Sequence, residues 1–317
     1  MNPSNHNVIQ TQGLSKSFGE VQALKDLDLT VPEHSITGFL GPNGAGKTTT
    51  IRLLLGLNRP SAGRGTIFGH DIVAQSLEIR KRVGYLAQHP HFYEQLTARE
   101  TLRFTASLFY KGPTSKIEAR IDEMLELVDL EHKANRRIKG FSGGEHQRLG
   151  IAQAQINDPD LLVLDEPAAA LDPMGRLAVL RIMERLRQRA TIFYSTHILE
   201  DVQRVSDRVV ILNQGRLISQ GPIEDLLVGD EGSVYTLQTT GDPAKAQARL
   251  SSQPWVSSLQ INRVDGIVDW RVVVTDEQAA QSQLLRLILE SPETDVLEYG
   301  RQKYELEKIF VHLVGGE

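Results

Sequence analysis

Gly41-Pro42-Asn43-Gly44-Ala45-Gly46-Lys47-Thr48-Thr49 follows the apolar run of residues 36–40 and leads into Thr50-Ile51-Arg52-Leu53-Leu54. This order predicts a buried strand, a tight glycine-rich turn and a helix, and in that setting the pattern is a phosphate site. Glycines let successive backbone N–H groups curl around an anion, and the helix N-terminus adds its positive end. Lys47 is placed to reach the terminal phosphates and the Thr48 hydroxyl to ligate magnesium. Few other chemistries need all of these groups at once.

The chain around this stretch has 317 residues, enough for one large domain and a smaller one. Its net charge of -5 provides no basic stripe, so no nucleic-acid partner is expected. With no cysteine, disulfides, thiolate metal sites and cysteine nucleophiles are excluded. Residues 1–12 are polar and do not resemble a secretory signal, and no apolar run approaches the roughly 20 residues that span a bilayer.

Residues 8–31 alternate as an antiparallel hairpin turning near Gly19-Glu20, with Phe18 at its tip. A flat apolar ring there is a candidate to stack on adenine, so ATP is the expected nucleotide. Residues 59–65, Arg-Pro-Ser-Ala-Gly-Arg-Gly, read as a turn cluster, followed by a short strand at 66–68 and another at 83–87. Helical spacing dominates from Thr97, and a helical insert over about residues 90–157 is the economical reading. Residues 161–164, Leu-Leu-Val-Leu, suit a strand buried on both faces; a helix from 174, a strand at 191–195 and a glycine-turned hairpin at 209–219 follow. Strands alternating with helices imply an α/β fold on a mostly parallel sheet. Residues 230–317 hold 14 acidic and 8 basic side chains, net -6, against +1 for residues 1–229. This shift predicts two domains, 1–229 and a small α/β unit at 230–317.

Asp165 and Glu166 end the strand of residues 161–164. Adjacent carboxylates at a buried strand end call for a cation, and magnesium on nucleotide phosphates supplies it. Asp165 is the candidate to orient that ion through water. Glu166 is the candidate to take a proton from attacking water, on the expectation that neighbours on a strand point opposite ways. Gln88 and His197 also stand at strand ends, and ligands of open α/β sheets bind there. Gln88 would touch magnesium or water, and His197 the γ-phosphate. A second anion site is predicted at Ser142-Gly143-Gly144, where serine and two glycines open a helix. Two chains meeting head to tail would close each nucleotide with the partner's Ser142 and Gly144.

In these residues the chain resembles the nucleotide-binding subunit of ABC transporters, and more narrowly the ATPase of ABC-2 type exporters of drugs, polysaccharides and sodium. The likeness covers residues 8–228 and rests on seven ordered motifs: the aromatic Phe18, the Walker A loop from Gly41 to Thr48, the Q-loop Gln88, the signature from Phe141 to Glu145, the Walker B strand ending in Asp165 and Glu166, the D-loop Ala170-Leu171-Asp172, and the switch His197. It implies hydrolysis of ATP with Mg2+, nucleotide contacts from Ser142, Gly143, Gly144, Glu145 and Asp172, and a homodimer or paired ABC subunit. It also implies an integral-membrane permease as partner and a peripheral place on the cytoplasmic face of the membrane. Importers share all seven motifs. Soluble mechanical ABC ATPases need a coiled-coil insertion that the roughly 53 residues between Gln88 and Ser142 do not provide. Phe141 stands for the usual leucine and Glu145 for the usual glutamine, an acid expected to weaken the site by repulsion. Ala170 replaces a small hydroxyl residue of the D-loop. Residues 304–310, Tyr-Glu-Leu-Glu-Lys-Ile-Phe, resemble the tail of that exporter group.

Overall fold

A computed structural model describes residues 7–227, 233–264, 266–291 and 294–301. It divides into two compact units, Met1–Ile223 and Glu224–Glu317. Residues 305–314, whose spacing predicts a closing helix, and the tail at 304–310 lie outside the described residues.

The first unit opens with β1 (Asn7–Phe18), β2 (Val21–Leu27) and β3 (Thr30–Pro32), β2 and β3 both antiparallel to β1. Gly19 and Glu20 form the turn between β1 and β2. Next, β4 (Ile36–Leu40) is buried at every position, and α1 (Lys47–Leu54) starts directly after the glycine-rich turn. β5 (Ala62–Ile67) begins earlier than the turn-like composition of 59–65 suggested. Gly63 explains the difference. A Cβ there would lie 2.1 Å from the Gly13 carbonyl oxygen at φ +75°, so the residue that reads as a turn former lets β5 close on β1. The strand β6 (His70–Asp71) completes this antiparallel sheet.

The chain continues through α2 (Ser76–Arg82), β7 (Val83–Leu86), α3 (Ala98–Phe109), α4 (Thr114–Leu127) and α5 (Gly143–Gln155), then β8 (Leu161–Asp165), α6 (Pro173–Leu186) and β9 (Thr191–Thr196). It closes with α7 (Leu199–Val205), β10 (Arg208–Asn213) and β11 (Arg216–Pro222), and α8 (Ile223–Leu227) starts at the boundary with the second unit. Six strands form a second sheet in the order β11-β10-β4-β9-β8-β7, parallel apart from the edge strand β11. Its two faces are dry. Along β8, Leu161 and Val163 pack with α1 and the antiparallel sheet, while Leu162 and Leu164 pack with the helical insert and α6. That is why β8 reads as a continuous apolar run. Parallel pairing also fixes direction, so the C-terminal ends of β4, β7, β8 and β9 share one edge.

The second unit runs β12 (Ser233–Thr240), α9 (Ala244–Ser251), β13 (Val256–Val264), β14 (Ile267–Val274), α10 (Glu277–Leu289) and β15 (Val296–Arg301). Sheet order β13-β14-β12-β15, antiparallel throughout, makes it a βαββαβ split unit with both helices on one face. Trp270 anchors its core, 2% exposed, and donates from Nε1 to the Thr239 hydroxyl at 2.8 Å.

Candidate active site

At the shared sheet edge, residues 43–49 with Ala23, Gln88 and Glu166 line a cleft of about 330 Å³. The left-handed residue Gly46 (φ +109°) stands at the N-cap of α1, and a Cβ on it would lie 2.7 Å from the Ala23 carbonyl oxygen. A side chain would therefore both strain the backbone and push the loop off β2, so the cradle depends on glycine there. Ala23 escaped the sequence reading because nothing in its type signals a role; only the turn's path brings it to the cleft.

Lys47 is 6% exposed, and its Nζ donates to the carbonyls of Gly41 (2.6 Å) and Pro42 (3.3 Å). It also sits 3.1 Å from Glu166 Oε1, while His197 Nδ1 lies 2.9 Å from Glu166 Oε2. One carboxylate thus spans the P-loop lysine and the switch histidine. Asp165 and Glu166 have different partners, as expected, but strand alternation is not the cause: Glu166 lies just past β8 at φ +50°. It is this left-handed turn, uncommon for a non-glycine residue, that accompanies its aim toward Lys47 and His197.

Asp165 is 1% exposed and accepts hydrogen bonds at Oδ1 from the Ser195 hydroxyl (2.6 Å) and from Thr48 Oγ1 (3.3 Å). Its Oδ2 has no partner among the described residues. A buried carboxylate oxygen left unsatisfied is costly, and one beside a threonine hydroxyl and a phosphate cradle suits a hydrated divalent cation. The donor set of Thr48, Asp165 and Gln88 therefore fits magnesium. Negative potential at this edge is felt by Tyr85, whose phenol is pushed up first by burial and then by the Asp165 charge.

Ser195 is a site residue the sequence did not reveal. Fully buried, it donates to Asp165 and accepts the Glu166 N–H at 2.9 Å, bonding to both carboxylate residues at once. Only the pairing of β8 with β9, Asp165 opposite Ser195, makes that contact. Phe18 is 50% exposed at the hairpin tip, with the Lys16 ammonium 4.8 Å from its ring centroid, and it does not line the cleft.

Ser142, Gly143 and Gly144 stand apart from the cleft. With Ala170, Leu171 and Asp172 they line a second pocket, of about 390 Å³. A capping box opens α5: Ser142 Oγ accepts from Glu145 N at 3.3 Å, and Glu145 Oε2 accepts from Ser142 N at 2.9 Å. The N–H groups of Gly143 and Gly144 fall in the first turn, where no helical carbonyl is in reach. Glu145 is 8% exposed and ion-paired to Lys133. Burial pushes its carboxyl up, but the Lys133 ammonium and the Ser142 N–H outweigh that and hold it below its ordinary value. The repulsion expected of this acid is thus met by a counter-charge that the motif does not contain. Asp172 caps α6, accepting from Gly175 N at 2.7 Å, and Ala170 is left-handed at φ +57°.

A family model for the ABC transporter matches residues 24–169. The chain is 37% identical over 311 residues to the bacitracin transport ATP-binding protein BcrA of Bacillus licheniformis, covering 98% of each chain. It is 34% identical over 315 residues to the daunorubicin resistance ATP-binding protein DrrA3 of Streptomyces coeruleorubidus, covering 98% of this chain and 96% of the relative. A dimeric bacterial ABC transporter cassette, MJ0796, superposes with a TM-score of 0.63 at 26% identity, covering 68% of this chain and 98% of that one. A glycine-rich loop, a carboxylate pair and a histidine on one sheet edge, joined to relatives that match nearly end to end, make this chain an ATP-binding and ATP-hydrolysing subunit of the ABC transporter family.

Proposed function

We propose that this chain powers an exporter of the ABC-2 type, working as one of two cassettes beneath an integral-membrane permease on the cytoplasmic face. One observation carries the reading. Likeness to the bacitracin transport and daunorubicin resistance proteins extends over 98% of the chain and so takes in the C-terminal unit, whereas the MJ0796 cassette covers 68%. No helix among the described residues is long and apolar enough to cross a membrane.

In the proposed mechanism Glu166 accepts the proton of the attacking water. Before nucleotide arrives its carboxylate is held by Lys47 and His197. The terminal phosphates of ATP compete for the Lys47 ammonium, whose other partners are only carbonyls, and this frees one oxygen of Glu166 for water. His197, with 43% of its side chain exposed, remains near enough to orient the carboxylate or meet the γ-phosphate. Magnesium, held by Thr48, Asp165 and Gln88, would supply positive charge to the phosphates. The cleft and the pocket of Ser142 are separate in one chain, which favours a head-to-tail pair in which each nucleotide is sealed by the partner's signature turn.

The permease contact is proposed beside Gln88 and the helical insert. Of the large apolar residues just after Gln88, Tyr93 is exposed, Leu96 is half-buried, and Phe92 packs partly into the core with its ring 6.0 Å from His146. Phe104 and Leu108, one turn apart on α3, are exposed and widen the apolar surface of the insert. The test is reconstitution in proteoliposomes with the permease that co-purifies from detergent-solubilised membranes. Transport out of the compartment facing the ATPase, abolished by Glu166→Gln, is expected. Movement toward the ATPase would make it an importer, and an ATPase rate per subunit unchanged on dilution far below any dimer's dissociation constant would overturn the paired mechanism.

A further inference from the structure

Three features fix the electrostatics of the signature pocket. Its wall carries two acids, Glu145 and Asp172, and one base, Arg148. Arg148 is already committed, donating from Nη1 to the carbonyls of Val128 (2.7 Å) and Asp129 (3.1 Å). The Glu145 carboxylate cannot swing away, because it closes the capping box on Ser142 in the same turn whose N–H groups would meet an anion. A bare negative charge at that place would oppose a triphosphate. What answers it is Lys133, on the 3₁₀ turn Glu131–Lys133 between α4 and α5, whose ammonium pairs with Glu145 Oε1. The lysine side chain is 27% exposed and the glutamate 10%, so solvent screens the pair only partly.

We propose that Lys133 is a positioning residue for nucleotide capture: by neutralising Glu145 and pinning it in the capping box, it keeps the Ser142 turn shaped and uncharged for the partner's ATP. This rests on the reading that the signature pocket closes on a nucleotide held by a second subunit. The need for Lys133 follows from the acid at position 145; a neutral amide there would cap Ser142 without requiring a counter-ion. Two neighbouring side chains complete the surroundings. Arg136 adds a further favourable charge to Glu145, and Asp172 is held by the Gly175 N–H on the opposite wall.

The test uses the full chain with Glu166→Gln throughout, so that bound ATP persists. Light scattering gives the ATP concentration for half-maximal dimerisation, with magnesium present, for four proteins: no further change, Lys133→Met, Glu145→Gln, and both together. Lys133→Met is expected to raise that concentration at least threefold, and to raise it less than 1.5-fold when position 145 is already glutamine, a coupling that a double-mutant cycle isolates. Lys133→Arg, which keeps the charge, is expected to behave as lysine does. An equal shift in both backgrounds, or none in either, overturns the proposal, since a lysine needed only for packing would not care whether its partner is charged. Should Lys133→Met fail to fold, as judged by its melting transition, Lys133→Gln takes its place in the same cycle. Failure of the Glu166→Gln chain to dimerise at any ATP concentration overturns the reading that two copies of this chain pair, a result distinct from dimerisation that ignores Lys133.

Discussion

The two half-sites of this cassette are built in opposite ways. The cleft at Lys47 draws its groups from the ends of four strands far apart in sequence, and its polar side chains interlock: Lys47 with Glu166, Glu166 with His197, Asp165 with Ser195 and Thr48. In the pocket at Ser142 the signature turn is largely local, a helix N-terminus whose cap partner Glu145 lies three residues on and whose counter-charge Lys133 lies nine residues back, with the α6 cap at Asp172 forming the facing wall. The difference teaches that a site made by sheet topology fails as a network, whereas one made by a helix cap fails by one bond at a time.

The sharpest way to test that contrast is at Glu166. Glu166→Gln should lower ATP turnover by about 10²–10⁴-fold, measured as phosphate release, while ATP affinity by equilibrium dialysis is retained. Turnover as fast as the parent would remove Glu166 from the role of base. Next in size is Ser195→Ala, which strips Asp165 of a donor and the Glu166 N–H of its acceptor, both buried. A stability loss of about 1–3 kcal/mol by urea denaturation is expected, together with a lowered kcat. Equal stability and rate would show that the two carboxylates hold themselves in place.

On the local side, Ser142→Ala removes one cap bond and should cost about 0.5–2 kcal/mol, again by urea denaturation, without touching the binding of nucleotide by a single chain. Smallest is the pH response of the Lys133–Glu145 pair. Because the folded-state carboxyl lies below its ordinary value, the pair stabilises the fold above the unfolded-state pKa, about 4.3, and that contribution fades as pH falls through the lower folded-state value. The melting-temperature gap between the parent chain and Glu145→Gln should therefore narrow on acidification below pH about 4. A gap that widened would mean burial, not Lys133, governs this acid.

Much of this was legible in the residues. The strand, glycine turn and helix from Ile36 to Leu54 follow from an apolar run, glycines and a Lys-Thr pair, and Leu161 to Leu164 announce a strand covered on both faces. Gly63 was misread because glycine marks a turn by propensity, while here it marks a close approach between strands. Phe92 is half-buried, and its face was not legible in advance, since single apolar residues in a loop carry no periodicity from which to infer one.

Sequence alone determined which chemistry is possible: a lysine and glycines for phosphate, two carboxylates and a histidine at strand ends, a serine cap for a second anion. Those signals are local, written in residue types and short spacings. Tertiary structure alone decided who touches whom: that Ser195 bonds to both Asp165 and Glu166, that Glu166 turns left-handed to reach Lys47 and His197, and that Lys133 answers Glu145. Such contacts depend on strand register and helix packing, which bring together residues whose separation along the chain carries no trace of their meeting.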